Sequence, residues 1–117
     1  MKNSLSADIY LRFLQLAQSI RGLPTLPALD PLEEKLLGEI AHAGLKQASL
    51  SVRDLMAQRA LGSPATIHTR LKSMRQKGWI LLADTEDARR KQIELSDAAQ
   101  EHLQKLSACI VQAATEQ

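Results

Sequence analysis

A mainly α (α+β) fold is predicted by three features of this 117-residue chain. Helix-start residues stand at Asp30, Ser51, Ser63 and Ser96, each ahead of a stretch with apolar residues at helical spacing. A short helix after Ser51 and a longer one after Ser63 are separated by the tight Leu61-Gly62 step. Two short apolar runs, residues 79–82 and 92–95, then flank a charged loop. A helix pair followed directly by a basic hairpin is the outline of a winged helix-turn-helix domain, here with a helix at each end suited to dimerisation.

The elements follow in order. Residues 7–21 place Ile9, Phe13, Leu16 and Ile20 on one helical stripe, flanked by Tyr10, Leu14 and Ala17. Gly22, Pro24 and Pro27 make residues 22–29 a connector. Asp30-Pro31-Leu32-Glu33 combines a cap, a first-turn proline and a capping box. The helix it opens carries Leu32, Leu36, Leu37 and Ile40 and should end near Ala43-Gly44. Residues 48–50 have the composition for a short strand. Ser51-Val52-Arg53-Asp54 is a second capping box, opening a short helix expected to run through Arg59 with Val52, Leu55 and Met56 inward.

Ser63-Pro64 starts the helix of residues 64–77, with Ile67, Leu71 and Met74 inward. Gly78 suits the left-handed residue that ends it. After the hairpin, Ser96 caps a last helix over residues 97–114, where Ala99, Leu103, Leu106, Ile110 and Ala113 keep near-heptad spacing. The expected organisation is an N-terminal dimerisation helix and connector (1–29), the winged helix-turn-helix domain (30–96) and a C-terminal dimerisation helix (97–117).

Composition narrows the function. Aromatic residues make up only 3% of the chain, so the core must be built from Leu, Ile and Ala, and dimerisation is a natural way to bury more surface. Residues 46–91 hold ten Lys/Arg against four Asp/Glu, whereas the remainder holds five against nine. A basic middle between acidic ends is the footprint of a polyanion-binding face. The single cysteine, Cys109, excludes an internal disulfide, and as a small core residue it needs no redox role. His42, His68 and His102 are scattered without ligand-type neighbours, so neither a metal nor another cofactor is expected. No nucleophile–base pair, glycine-rich phosphate loop or carboxylate dyad argues for an enzyme. Asp8 and Arg12 interrupt the one N-terminal apolar run, and no run approaches the ~18 apolar residues of a membrane span. A soluble, cytoplasmic protein with no membrane partner is the expectation.

The helix of residues 64–77 is the candidate reading element. With Ile67, Leu71 and Met74 inward, a helical wheel turns Ala65, Thr69, Lys72 and Gln76 outward, flanked by Thr66, His68, Ser73 and Arg75. That face has small, hydroxyl and cationic side chains and no carboxylate, which suits major-groove base edges. Ala65, Thr66, His68, Thr69 and Lys72 are the expected base contacts. Ser51, Ser63, Arg75, Asp87, Arg89 and Arg90 are the expected backbone and wing positions, with Ser63 marking a helix N-terminus able to meet a phosphate. Within the wing, Asp87 is placed to orient Arg89 by a bidentate pair. Ile9, Tyr10, Phe13, Leu16 and Ile20, with Leu103, Leu106 and Ile110, form the expected dimer surface.

These residues also carry a resemblance. Leu55, Leu61 to Ser63, Lys77-Gly78-Trp79-Ile80, Asp87-Ala88-Arg89 and Leu95-Ser96 resemble the DNA-binding domain of the multiple antibiotic resistance regulator (MarR) family. The most specific piece is Asp-x-Arg followed at fixed spacing by apolar-x-Leu-Ser, and the likeness covers roughly residues 30–105. It implies a homodimeric winged-helix transcription regulator, often a repressor, with dimer contacts from the terminal helices. It also implies wing roles for Asp87 and Arg89, and a recognition surface on residues 64–72. The family's recognition-helix Thr-Arg pair falls at His68-Thr69, leaving Lys72 or Arg70 as the available cation, and a glycine common beyond the wing falls at Ala99. Many members take a small aromatic effector between the dimer region and the DNA-binding lobe, although one Phe, one Trp and one Tyr offer little to line such a site. The expected function is a sequence-specific, DNA-binding transcriptional regulator acting on double-stranded DNA. The rival is a winged helix used for protein–protein contact, as an accessory regulator without strong DNA binding.

Overall fold

The computed structural model describes residues 2–20, 25–48, 50–85 and 91–115, with side chains from Ala7 onward. The elements are α1 (Lys2–Ser19), α2 (Pro31–Leu45), α3 (Val52–Met56), a 3-10 turn (Arg59–Leu61), α4 (Pro64–Gln76), β1 (Ile80–Asp84), β2 (Lys91–Leu95) and α5 (Asp97–Thr115). They fall into two units. One comprises residues 26–99, the winged helix, and the other comprises residues 1–25 with 100–117.

Local chemistry accounts for the element boundaries. Asp30 Oδ1 accepts from Glu33 N at 2.8 Å, and Glu33 Oε1 accepts from Asp30 N at 2.9 Å, which closes the capping box of α2. Ser51 and Asp54 do the same for α3 at 3.1 and 2.9 Å. Ser63 Oγ accepts from Thr66 N at 3.2 Å to cap α4. At the other end of α4, Gly78 takes φ +86°. Gly78 N then donates to Arg75 O and Trp79 N to Met74 O, which is the Schellman closure that a left-handed residue permits.

Several boundaries differ from expectation. Helix α1 starts at Lys2 and ends at Ser19 rather than spanning residues 7–21. Helix α2 passes through Gly44 to Leu45, and the left-handed residue is Gln47, at φ 54°. Ala48 N donates to Ala43 O there at 2.8 Å, so the same closure forms three residues later without a glycine. Helix α3 stops at Met56 rather than Arg59, because Gln58 leaves helical geometry and the chain resumes as the 3-10 turn. The short strand expected at residues 48–50 contracts to a single bridge, Ser51 with Gln92, supported by Ile93 N donating to Leu50 O at 2.7 Å. The immediate onset of α3 at Val52 leaves no length for more.

Strands β1 and β2 pair antiparallel, from Ile80 opposite Leu95 to Asp84 opposite Lys91. Inward residues of α2, α3, α4 and the hairpin converge on one core: Leu36, Ile40, Leu55, Ile67, Leu71, Met74, Trp79, Ile80 and Ile93, with Ala99 from the first turn of α5. Each fully buried large side chain in that set contributes about 1.5–3 kcal/mol over its exposed state. Ala99 is fully buried, so the position tolerates a small residue and little else. Ser96 explains the Leu-Ser ending of the hairpin. Its Oγ donates to Gly78 O at 2.6 Å and accepts from Ala99 N at 3.0 Å, joining the end of α4 to the start of α5.

Candidate nucleic-acid interface

Helices α3 and α4, with the turn between them, present α4 by its outer face. Ala65, Thr66, His68, Thr69, Lys72, Arg75 and Gln76 are exposed, while Ile67, Leu71 and Met74 are buried. The exposed residues include all five candidate base contacts, together with Arg75. Ser63 is exposed at the N-cap, and its Oγ lies 2.8 Å from Thr66 Oγ1. Thr69 Oγ1 donates to Ala65 O at 2.9 Å. Pro64 has no N–H, and Thr66 N and Ile67 N are taken by Ser63, so the free N–H of this first turn is that of Ala65.

Two basic residues of this segment face elsewhere. Arg70 Nε lies 3.0 Å from Asp30 Oδ2, at the N-terminus of α2. Lys77 Nζ donates to Ala28 O at 2.9 Å and to Glu33 Oε1 at 2.8 Å. Trp79 Nε1 donates to Pro27 O at 2.8 Å beside them. The end of α4 therefore holds residues 27–33 rather than solvent. Of the two cations the sequence left available, Arg70 is withdrawn and Lys72 remains on the outer face. Among the described residues, neither Lys72 nor Arg75 joins an ion pair.

Glu33 is buried, only 1% exposed. Burial, the strongest single influence, pushes its pKa up. The Asp30 N–H and the Lys77 and Ser73 side chains together outweigh it, and the carboxyl is held below its ordinary value.

Ser51 changes role. It is 8% exposed, its hydroxyl accepts from Asp54 N, and its backbone bridges Gln92. This places it at the rim of the core as the cap of α3.

Asp87, Arg89 and Arg90 lie outside the described residues, as does the orienting pair between Asp87 and Arg89. The neighbouring wing stem is described: Lys91 Nζ donates to Asp84, which lowers the Asp84 pKa through that hydrogen bond and the attraction of the charge. Beside the stem, Val52, Leu71, Ile80 and Leu82 form the apolar floor of an open groove, with His68, Lys72 and Arg75 along it. The sequence alone carried no sign of this juxtaposition or of the Arg70 and Lys77 engagements, because each joins residues far apart in the chain.

In the second unit, Tyr10 and Ile110 are exposed, whereas Ile9, Phe13, Leu16, Ile20, Leu103 and Leu106 are half-buried. Tyr10 and Phe13 stack obliquely with ring centroids 6.5 Å apart. Leu11 and Val111 add exposed apolar surface that the stripe analysis did not single out. Cys109 is buried on α5. Among the described residues no group of three or more His, Cys, Asp or Glu could hold a metal, and no helix is long and apolar enough to cross a membrane.

No protein-family model matches the sequence, and a search of curated proteins gives no match. Solved structures do match. A point mutant of MepR from S. aureus aligns over 94% of this chain and 72% of its own, with a TM-score of 0.62 at 15% identity. Apo (heme-free) PefR, the heme sensor protein of Streptococcus agalactiae, covers 94% of this chain and 86% of its own, with a TM-score of 0.55 at 14% identity. YusO from Bacillus subtilis covers 94% and 70%, with a TM-score of 0.54 at 18% identity. The chain shares the winged-helix fold of these structures. In this frame, α3 and α4 are the helix-turn-helix, β1 and β2 the wing stem, and α1 and α5 the terminal helices. MepR is described as a transcription regulator of the S. aureus multidrug efflux pump MepA.

Proposed function

We propose that this protein is a DNA-binding transcriptional regulator of repressor type, acting as a homodimer, with α4 in the major groove and the wing on the backbone or minor groove. The observation that carries the reading is the outer face of α4. Lys72 and Arg75 stand exposed there without an ion-pair partner among the described residues, beside small and hydroxyl side chains and no carboxylate. Ala65, Thr66, His68, Thr69 and Lys72 are the proposed base contacts. Ser63, Arg75, Arg89 and Arg90 take the backbone, with Asp87 orienting Arg89. The likeness to MepR, a transcription regulator, supports the class.

Dimerisation is proposed through α1 and α5. Tyr10, Leu11, Ile110 and Val111 are each more than half exposed, apolar surface on these two helices that a second copy would cover. The pair of winged helices would then meet half-sites about one turn (~10 bp) apart, or a multiple of it.

The test is a binding titration against random-sequence duplex at two salt concentrations. Binding that weakens steeply with salt is expected. Arg75→Ala and Arg89→Ala should each reduce the magnitude of the salt slope by about one unit with all sequences weakened alike, whereas Lys72→Ala should change sequence preference. No retention of duplex at the lower salt would overturn the reading in favour of a winged helix that contacts another protein. An unchanged slope after Arg89→Ala would remove the wing from the interface while leaving α4 in it.

A further inference from the structure

Thr69 lies on the outward line of α4, between Ala65 and Lys72. A threonine hydroxyl in free solution both donates and accepts, so the sequence leaves its reading ambiguous. The fold removes half of that freedom. Thr69 Oγ1 is 2.9 Å from Ala65 O, and a carbonyl oxygen has no proton to give. The hydroxyl proton is therefore committed to the helix backbone, a bond that also holds the side chain in one orientation. What Thr69 offers outward is oxygen lone pairs and a methyl group. The neighbouring Arg70 does not mask it, because its guanidinium is drawn to Asp30.

We propose that Thr69 is a specificity-determining residue that accepts a hydrogen bond from the exocyclic amine of a base in the major groove, adenine N6 or cytosine N4. This inference rests on the DNA-binding reading and states what its central contact selects. The only base-edge donors in the major groove are those two amines, whereas guanine O6 and N7, adenine N7 and thymine O4 all accept. Each base pair carries one amine, on one strand. An acceptor at a fixed place therefore separates A·T and C·G from T·A and G·C, and discriminates orientation rather than composition. Ala65, a bare methyl one turn earlier, fits a thymine methyl, and Lys72 fits guanine O6 and N7. At about 1.5 Å rise per residue these positions span about 10 Å, or roughly three base-pair steps.

The experiment selects preferred duplexes from a random pool with the wild-type chain and again with Thr69→Val, which keeps the shape and removes the acceptor. Thr69 is exposed, and a thermal melt checks that the variant is folded. Preference should relax at one position in each half-site. At that position, replacing adenine by unsubstituted purine, or cytosine by 2-pyrimidinone, deletes the amine alone. The deletion should weaken wild-type binding about fivefold or more, the low end of a good base contact. It should leave Thr69→Val unaffected and weaken Thr69→Ser as it does the wild type. Identical preferences for wild type and Thr69→Val overturn the proposal. So does a wild type indifferent to losing the amine but sensitive to losing the carbonyl opposite. Absence of any duplex binding by the wild type at low salt overturns the DNA-binding reading and this proposal with it, a result distinct from bound DNA with unaltered preference.

Discussion

Lys77→Met is expected to destabilise the winged-helix unit by about 3 kcal/mol, because it strips the cation from a buried carboxylate. Glu33 is almost wholly enclosed, and Lys77 Nζ reaches it at 2.8 Å while also holding the Ala28 carbonyl. Removing the lysine leaves a charge with burial against it and only the Asp30 N–H and Ser73 in support. Urea unfolding should show a lower midpoint with an unchanged slope. The pair as a whole contributes much less than its breakage costs, so Lys77→Met with Glu33→Gln, which removes the charge and keeps an acceptor for Asp30 N, should recover much of the loss. A double variant as unstable as the single one would refute the ion-pair account.

The pH dependence has a definite sign. The folded pKa of Glu33 is depressed below its ordinary 4.5. Its contribution is therefore fully present above that ordinary value and is lost as pH falls through the lower, folded one. In Lys77→Met both contributions of the lysine are gone, so the folded carboxyl is held down less than in the wild type and its protonation costs the folded state less. The stability gap between variant and wild type should narrow on acidification below about pH 4.5. A gap that widens there would contradict this assignment.

Ile67→Ala should cost about 2–5 kcal/mol, the range for truncating a fully buried aliphatic side chain. Ile67 is 0% exposed on the inner face of α4, one residue from His68 on the outer face. For a domain of this size, the melting temperature should fall by roughly 10 °C or more. The measurement that matters is paired with binding. At a temperature where the variant remains folded, its salt slope should equal that of the wild type, because no cation has moved. Arg75→Ala should do the opposite, lowering the slope and leaving the melt nearly unchanged. Loss of slope in Ile67→Ala would mean that the inner face of α4 sets the position of the outer one.

Much of this molecule is legible in short windows. Asp30, Ser51 and Ser63 each cap a helix by bonding a backbone N–H three residues on, so their roles follow from spacing alone. Ile67, Leu71 and Met74 are inward because a helix repeats every 3.6 residues, and all three are buried. Gly78 ends α4 because its positive φ costs glycine little. The misjudged boundaries have the same local origin. A helix C-terminus is less tightly specified by sequence than a capped N-terminus, and α2 closes on Gln47 because the bonds to Ala43 and Gly44 repay a left-handed residue without glycine.

By itself, therefore, the sequence determined the helices and their caps, the hairpin, the inward stripes and the basic character of residues 46–91. Each depends on neighbours within one or two turns. Only the tertiary structure decided which of those basic and polar groups face outward. Lys77 and Glu33 are 44 residues apart and Lys77 and Ala28 are 49 apart, and no local pattern records such a meeting. The same packing draws Arg70 to Asp30, pairs Ser51 with Gln92 at the edge of β2 and leaves Lys72 and Arg75 on the outer face. Charge is a property of composition, whereas its direction is a property of the fold, because long side chains turn toward whatever partner the packing of distant segments brings within reach.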